Sequence, residues 1–348
     1  MGHVVLVTGV SRYLGARLAR MVSGHPSVDR VIGVDVIPPE HDIGHTEFVR
    51  ADIRLPVIAK VISRARVNTV VHMGVIATPV AAGGRGTMKE INVIGTMQLL
   101  AACQKSPGVR RLVVKSTGAV YGSSPRDPAM FTEDTGPKVI PRAGWAKDSV
   151  EVEGYVRGFS RRRPDVEVIT LRLANFIGPR VHTAMTDYFR LPALPTVLGF
   201  DARLQFVHED DGLEALRLAT VGRTTGVINV AGDGIITLSQ AAKLAGHPTI
   251  GVPKRLSGLV GQVFRRTGLV DFSREQMDFL CYGRCMDTTR MRTKLGLEPR
   301  FTTREAFEDF VRGQEVHGPL SGQQVERVEH AVLRTFGRGL GRSAQRVG

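Results

Sequence analysis

The sequence is short of several things, and each shortage closes a route. It has one tryptophan and three cysteines among 348 residues. Cys103, Cys281 and Cys285 cannot all pair, whereas secreted domains usually carry even, patterned cysteines, so a reducing, cytoplasmic setting is expected. Cys281 and Cys285 have no second pair of metal-type ligands near them, and no metal is expected. No run of about 18 apolar residues occurs, so no spanning helix is predicted. The opening "MGHVVLVTG" lacks the basic start and cleavage site of a signal peptide and reads as a first strand. Acidic residues are few against basic ones, 33 to 47, a net charge of +14. Such a surplus attracts anions. The arginines are scattered, however, and no helix-turn-helix, zinc-finger or aromatic ribonucleoprotein pattern accompanies them, so no nucleic-acid partner is expected. Finally, no tyrosine stands four residues before a lysine: Tyr13, Tyr121, Tyr155, Tyr188 and Tyr282 are followed at that spacing by Arg17, Pro125, Phe159, Pro192 and Met286.

What the chain does have is alternation. Short β-branched runs at 4–9, 30–36, 46–53, 68–74, 110–117 and 166–173 are separated by helical stretches at 14–23, 57–66, 88–105 and 147–163. The runs are apolar throughout rather than every second residue, as in parallel strands buried on both faces. The order predicts an α/β fold, a Rossmann-type doubly wound parallel sheet. After about residue 178 prolines and short elements take over. The expected division is a dinucleotide-binding domain over 1–178, with returning segments from about 203–232, a smaller C-terminal substrate-binding subdomain over 179–313, and a basic tail over 314–348.

"VTGVSRYLGARLA" places Gly9 and Gly15 six apart, after a strand and opening a helix. Glycine there lets the backbone approach a pyrophosphate seated on the helix N-terminus. Ser11, Arg12, Tyr13 and Leu14 complete the candidate loop. Arg12 stands where a middle glycine is usual; it could stack on adenine, meet a 2′-phosphate or crowd the loop. Asp35, 20 residues beyond Gly15, ends the second strand and suits the ribose hydroxyls, favouring NAD over NADP; a turn-forming role is the alternative. Asp52, followed by Ile53, suits the adenine amino group or a helix N-cap.

With these go "VVHMG", "EINVIGTMQLL", "KSTGAVYGSS", "LRLANFIGP", "LQFVHEDD" and "DTTRMRTKLGLEP". Over roughly residues 3–312 the chain resembles the extended short-chain dehydrogenase/reductases, the NAD-dependent epimerase/dehydratase group that includes UDP-glucose 4-epimerase. The resemblance implies NAD as cofactor. It implies that Thr117, with Ser116, bonds the reacting oxygen and that Lys147 binds the nicotinamide ribose. It lays His72, Met73 and Gly74 along the cofactor, although His72 also suits strand packing. Asn92 flanks the site or is a helix-interior residue. Asn175 meets substrate phosphates or forms a turn, and Tyr121 and Arg203 join the candidate substrate side.

The sequence departs from the family at two places. The residue four before Lys147, where the family keeps its proton-transferring tyrosine, is Ala143. Leu204 and Gln205 occupy the usual Arg-Asp positions, with Arg203 one residue early. The expectation is therefore an NAD-dependent enzyme of altered acid/base chemistry acting on a nucleotide-sugar-like or other hydroxy/keto substrate. Lys147 itself, if buried, His182 or Tyr121 could replace the phenol. The alternative is an inactive NAD-binding sensor or scaffold. A homodimer through the helices 88–105 and 147–163 is expected, offering Val150, Gly154, Val156 and Phe159. The tail, with Val325, Val328, Val332 and Phe336 at helical spacing, is expected to be peripheral rather than membrane-bound.

Overall fold

The β-branched runs become strands β1 (Val4–Thr8), β2 (Arg30–Asp35), β3 (Glu47–Arg50), β4 (Thr69–His72), β5 (Arg111–Thr117) and β6 (Glu167–Leu173). Four further strands, β7 (Asn175–Ile177), β8 (Leu194–Val197), β9 (Arg203–Leu204) and β10 (Phe206–His208), precede β11 (Gly226–Val230). The structure is a computed structural model describing residues 2–73, 84–254, 274–314 and 316. One all-parallel sheet runs β11-β6-β5-β4-β1-β2-β3, the doubly wound fold the sequence predicts. The chain reverses direction of addition between β1 and β4, where such sheets open a ligand crevice.

Strand alternation divides the core in two. Val5, Val7, Val71, Val113, Ile169 and Leu171 pack with α1 (Tyr13–Ser23) and α7 (Glu209–Val221). Leu6, Ile32, Val70, Leu112 and Val114 pack with α2 (Val57–Arg64), α4 (Gly95–Lys105) and α5 (Gly144–Arg162) on the other face. The helix expected over 88–105 is interrupted: α3 (Arg85–Lys89) passes through one wide turn at Glu90–Ile94 before α4. The wide turn adds a residue per hydrogen-bonded ring and carries the fully buried Asn92.

A third core joins α6 (Ala184–Phe189), α8 (Leu238–Ala245) and the helices Arg274–Tyr282 and Thr303–Gly313 through Phe189, Phe206, Phe307 and Phe310. Residues 203–211 form two short strands that run into a helix. Arg203–Leu204 joins a three-stranded sheet with Ile236–Thr237 and Gly283–Arg284, Phe206–His208 pairs with β7, and α7 begins at Glu209. Capping boxes start α6, α8 and the helix Thr303–Gly313. No side chain caps α1 or α5, whose N-cap positions are Arg12 and Ala143.

Among the described residues no helix is long and apolar enough to cross a membrane, and no group of three or more metal-type ligands occurs. The three cysteines are buried and free. Gln314 Nε2 donates to the carbonyls of Gly178 and Val181, and Val316 is buried. The rest of the basic tail, like Gly74, lies outside the described residues.

Candidate active site

Gly9 has φ +78°, and a β-carbon at Gly15 would lie 2.0 Å from the Gly9 carbonyl oxygen. Only glycines allow the loop to close on α1 this way. Asp35 fixes the loop from the end of β2: one carboxylate oxygen accepts from Ser11 N at 3.0 Å and Ser11 Oγ at 2.5 Å, and the other from Val36 N at 2.8 Å. Tyr13 turns away to α7. Its hydroxyl donates to Glu209 Oε1 at 2.6 Å and accepts from Arg17, while burial first and Glu209 second push its pKa up to about 12. Leu14 packs on the core. A glycine-built loop, an uncapped helix N-terminus and a strand-end carboxylate together fit a dinucleotide.

Three expected contacts are committed elsewhere. Asp52 forms an ion pair with Arg54 at 2.7 Å, which, through its hydrogen bonds, lowers the Asp52 pKa. Ile53 beside it lies against Gly95. His72 is buried with both ring nitrogens bonded. Thr96 Oγ1 donates to the Asn92 carbonyl at 2.5 Å, so it accepts from His72 Nε2 at 2.9 Å, and Nδ1 accepts from Thr8 Oγ1 at 3.0 Å. Its ring is a structural tie, held neutral by burial and by nearby Lys115, which bring its pKa to about 4. Asn92 Nδ2 reaches Asp148 on α5 at 3.4 Å, inside the helix pair. Met73 follows β4 with its N–H on Thr8 Oγ1.

The end of β5 separates its two hydroxyls. Thr117 and Ser116 point to opposite faces. Thr117, half-buried, accepts from Ala119 N at 3.2 Å and keeps its hydroxyl proton. Ser116 is buried on the α5 side and donates to Glu153 at 2.7 Å. Glu153 receives Arg172 through two hydrogen bonds, at 3.0 and 2.7 Å. Arg172 in turn donates to the Tyr121 hydroxyl at 2.9 Å, and Tyr121 donates to Asn229 at 2.8 Å and stacks on Phe131. Tyr121 is therefore packed in the core. His182 is exposed and bonded to Arg190.

Lys147 is not buried as an acid would need: its side chain is 43% exposed and 3.6 Å from Glu151. Ala143 is exposed at the start of α5. Next to it Gly144 has φ +63°, and a β-carbon there would lie 2.9 Å from Glu275 Oε2. Glycine at 144 thus admits a half-buried carboxylate to the uncapped end of α5, a contact no local sequence signal announces.

A small cleft beyond β5 is lined by Gly118, Asn175, Gln205, Phe279, Arg284 and Met286. Asn175 is one of the lining residues. Arg203 is exposed on its strand and does not line this cleft. The cation present is Arg284, which donates to the Gly122 carbonyl at 2.8 Å and whose pKa burial lowers to about 10. Lys115, Glu275 and Arg284 went unremarked in the sequence; only Lys115 leaves a trace there, a charge inside the apolar run "RLVVKST".

The geometry has parallels. The sequence profile of the NAD dependent epimerase/dehydratase family matches residues 5–231. An uncharacterised protein of Mycobacterium tuberculosis is 49% identical over 315 residues, 89% of this chain and 84% of its own. UDP-glucose 4-epimerase of Mycolicibacterium smegmatis is 26% identical over 324 residues, 87% of this chain and 95% of its own. Among solved structures, UDP-glucuronic acid 4-epimerase of Bacillus cereus with UDP-glucuronic acid and NAD superposes at a TM-score of 0.68 with 17% identity, covering 90% of this chain and 99% of that one. The chain belongs to the NAD dependent epimerase/dehydratase family.

Proposed function

We propose that the chain binds NAD at the Gly9–Gly15 loop and reversibly oxidises a hydroxyl of a nucleotide-sugar-like substrate, with a proton carrier other than a phenol. The observation that carries this reading is the shared opening of loop and strand end. Thr8, His72 and Val114 are in register across β1, β4 and β5, so the loop after Thr8 and the end of β5 at Thr117 face one crevice. The names of the relatives supply the substrate class.

Bound NAD supplies the hydride acceptor. Thr117 donates its hydroxyl proton in a hydrogen bond to the reacting oxygen. Lys147, near the surface of α5, holds the ribose. Glu275, beside Gly144 and one residue from the vacancy at Ala143, takes and returns the proton. Asn175 and Arg284 face the substrate's anionic part. In the same reading the chain is a homodimer through α4 and α5. Val156 and Phe159 are excluded from that interface because they are buried in their own sheet's core. Ile94, Met97 and Tyr155, each about two-fifths exposed, offer the apolar surface instead.

The test is turnover with NAD and a panel of UDP-sugars, read by reduced-nicotinamide absorbance and by product analysis. A positioned proton carrier is worth about 10²–10⁴ in rate. Glu275→Gln should lower turnover by at least about 10²-fold while leaving NAD affinity unchanged. NAD binding without turnover on any hydroxy or keto substrate would favour a cofactor-binding sensor or scaffold.

A further inference from the structure

Lys115 is a charge where the strand is otherwise apolar. It sits on β5 between Val113, fully buried, and Thr117, on the face that packs against α1 and α7. Its side chain is half-buried. The ammonium stands 5.7 Å from the centroid of Phe176. Among the described residues no carboxylate or other hydrogen-bond acceptor partners it. Burial first, and the charge of Arg12 second, lower its pKa to about 8.

The charge of Arg12, on the loop, thus acts on Lys115, on the strand. An ammonium partly withdrawn from water without a counter-ion is costly. Its cost is offset when an anion enters between the like charges, and the N-terminus of α1 favours negative charge at the same place. β5 is central in the sheet, so Lys115 needs little ordering to meet it.

We propose that Lys115 is an anchor for the pyrophosphate of the bound dinucleotide, reaching it from β5 opposite Arg12 and the glycine loop. The proposal rests on NAD occupying that loop. It assigns to a strand side chain part of the anion binding that backbone N–H groups supply when the middle residue of the loop is glycine, and it gives Arg12 a neighbour that explains a second cation in the crevice.

The test is calorimetric binding to the full chain of NAD, NADH, ADP-ribose, adenosine and UDP. Lys115→Met and Lys115→Gln are compared with Lys115→Arg, and thermal melts verify folding. A hydrogen bond to a charged group is worth about 1.5–3 kcal/mol, so NAD, NADH and ADP-ribose should each weaken by about ten- to a hundredfold in the Met and Gln variants. Adenosine, which lacks the pyrophosphate, should be unaffected, and Lys115→Arg should bind like the wild type. Unchanged NAD affinity in a folded Met or Gln variant overturns the proposal. So does a loss that differs between NAD and NADH, which would put the ammonium at the nicotinamide, or a loss confined to UDP, which would put it at the substrate. A wild type that binds no NAD defeats the cofactor reading, and this proposal with it.

Discussion

Replacing Arg172 by methionine tests which hydroxyls near β5 are structure and which are chemistry. The substitution removes both hydrogen bonds to Glu153, at 3.0 and 2.7 Å, and the bond to the Tyr121 hydroxyl at 2.9 Å. Glu153 is 5% exposed at its side chain and cannot move into water. Removing one partner of a buried pair costs about 3–5 kcal/mol. Arg157 remains at 3.6 Å from Glu153 and is 59% exposed, a partial counter-ion that moves the expectation to the low end, about 3 kcal/mol. At roughly 2–4 °C per kcal/mol for a chain of this order, the melting temperature should fall by about 6–12 °C. The double variant Glu153→Leu with Arg172→Met should recover most of the loss, because it leaves no buried charge. Calorimetry and urea unfolding read both. A loss under about 1 kcal/mol, or a double variant no better than the single, would mean that Ser116 and Tyr121 are not held by this network and would reopen them as site residues.

Three further outcomes follow from the same geometry. His72 has a pKa near 4 in the folded chain against 6.5 for a free imidazole, so the unfolded chain binds the proton more readily between those values. Stability from this group is complete above about pH 6.5 and falls as pH drops toward 4, by roughly 3 kcal/mol in all; melts of the wild type and His72→Gln across that range should differ in slope, and parallel curves would refute the tie. Asp35→Ala should weaken NAD more than NADP, since it removes the acceptor proposed for the ribose hydroxyls and loosens Ser11; a wild type that prefers NADP would give Arg12 the deciding role. Light scattering should find a dimer at micromolar concentration, and Met97→Glu should yield monomers; a monomeric wild type would remove α4 and α5 as an interface.

The sheet was legible because buried parallel strands are apolar on both faces, which "VVLVT" and "RLVV" display without any tertiary information. The cofactor loop was legible for a similar reason: its glycines are demanded by local backbone approach, and Asp35 follows at the end of the next strand. The active-site hydroxyls were not. "KST" offers two adjacent hydroxyls, and strand alternation turns one to α5 and one to the crevice; which is which depends on Glu153, 37 residues away. Tyr121 is defined by Arg172 and Asn229, and Asp52 by an arginine two residues on that could equally have pointed elsewhere. Glu275 reaches α5 from another core, so nothing near Ala143 foretells it. The Asn92 turn was read as plain helix because a single added residue in a helical ring leaves the hydrophobic spacing almost unchanged.

The most direct test of the account is a crystal structure of the chain with NAD and a UDP-sugar bound. The account predicts the pyrophosphate at the Gly9–Gly15 loop, the nicotinamide beside Thr117 and Lys147, the reacting hydroxyl within hydrogen-bond distance of Thr117 Oγ1, and Glu275 or a water it holds in the space a phenol at position 143 would fill. A dinucleotide bound with its nicotinamide away from Thr117, or a sugar lying outside the crevice, would contradict it.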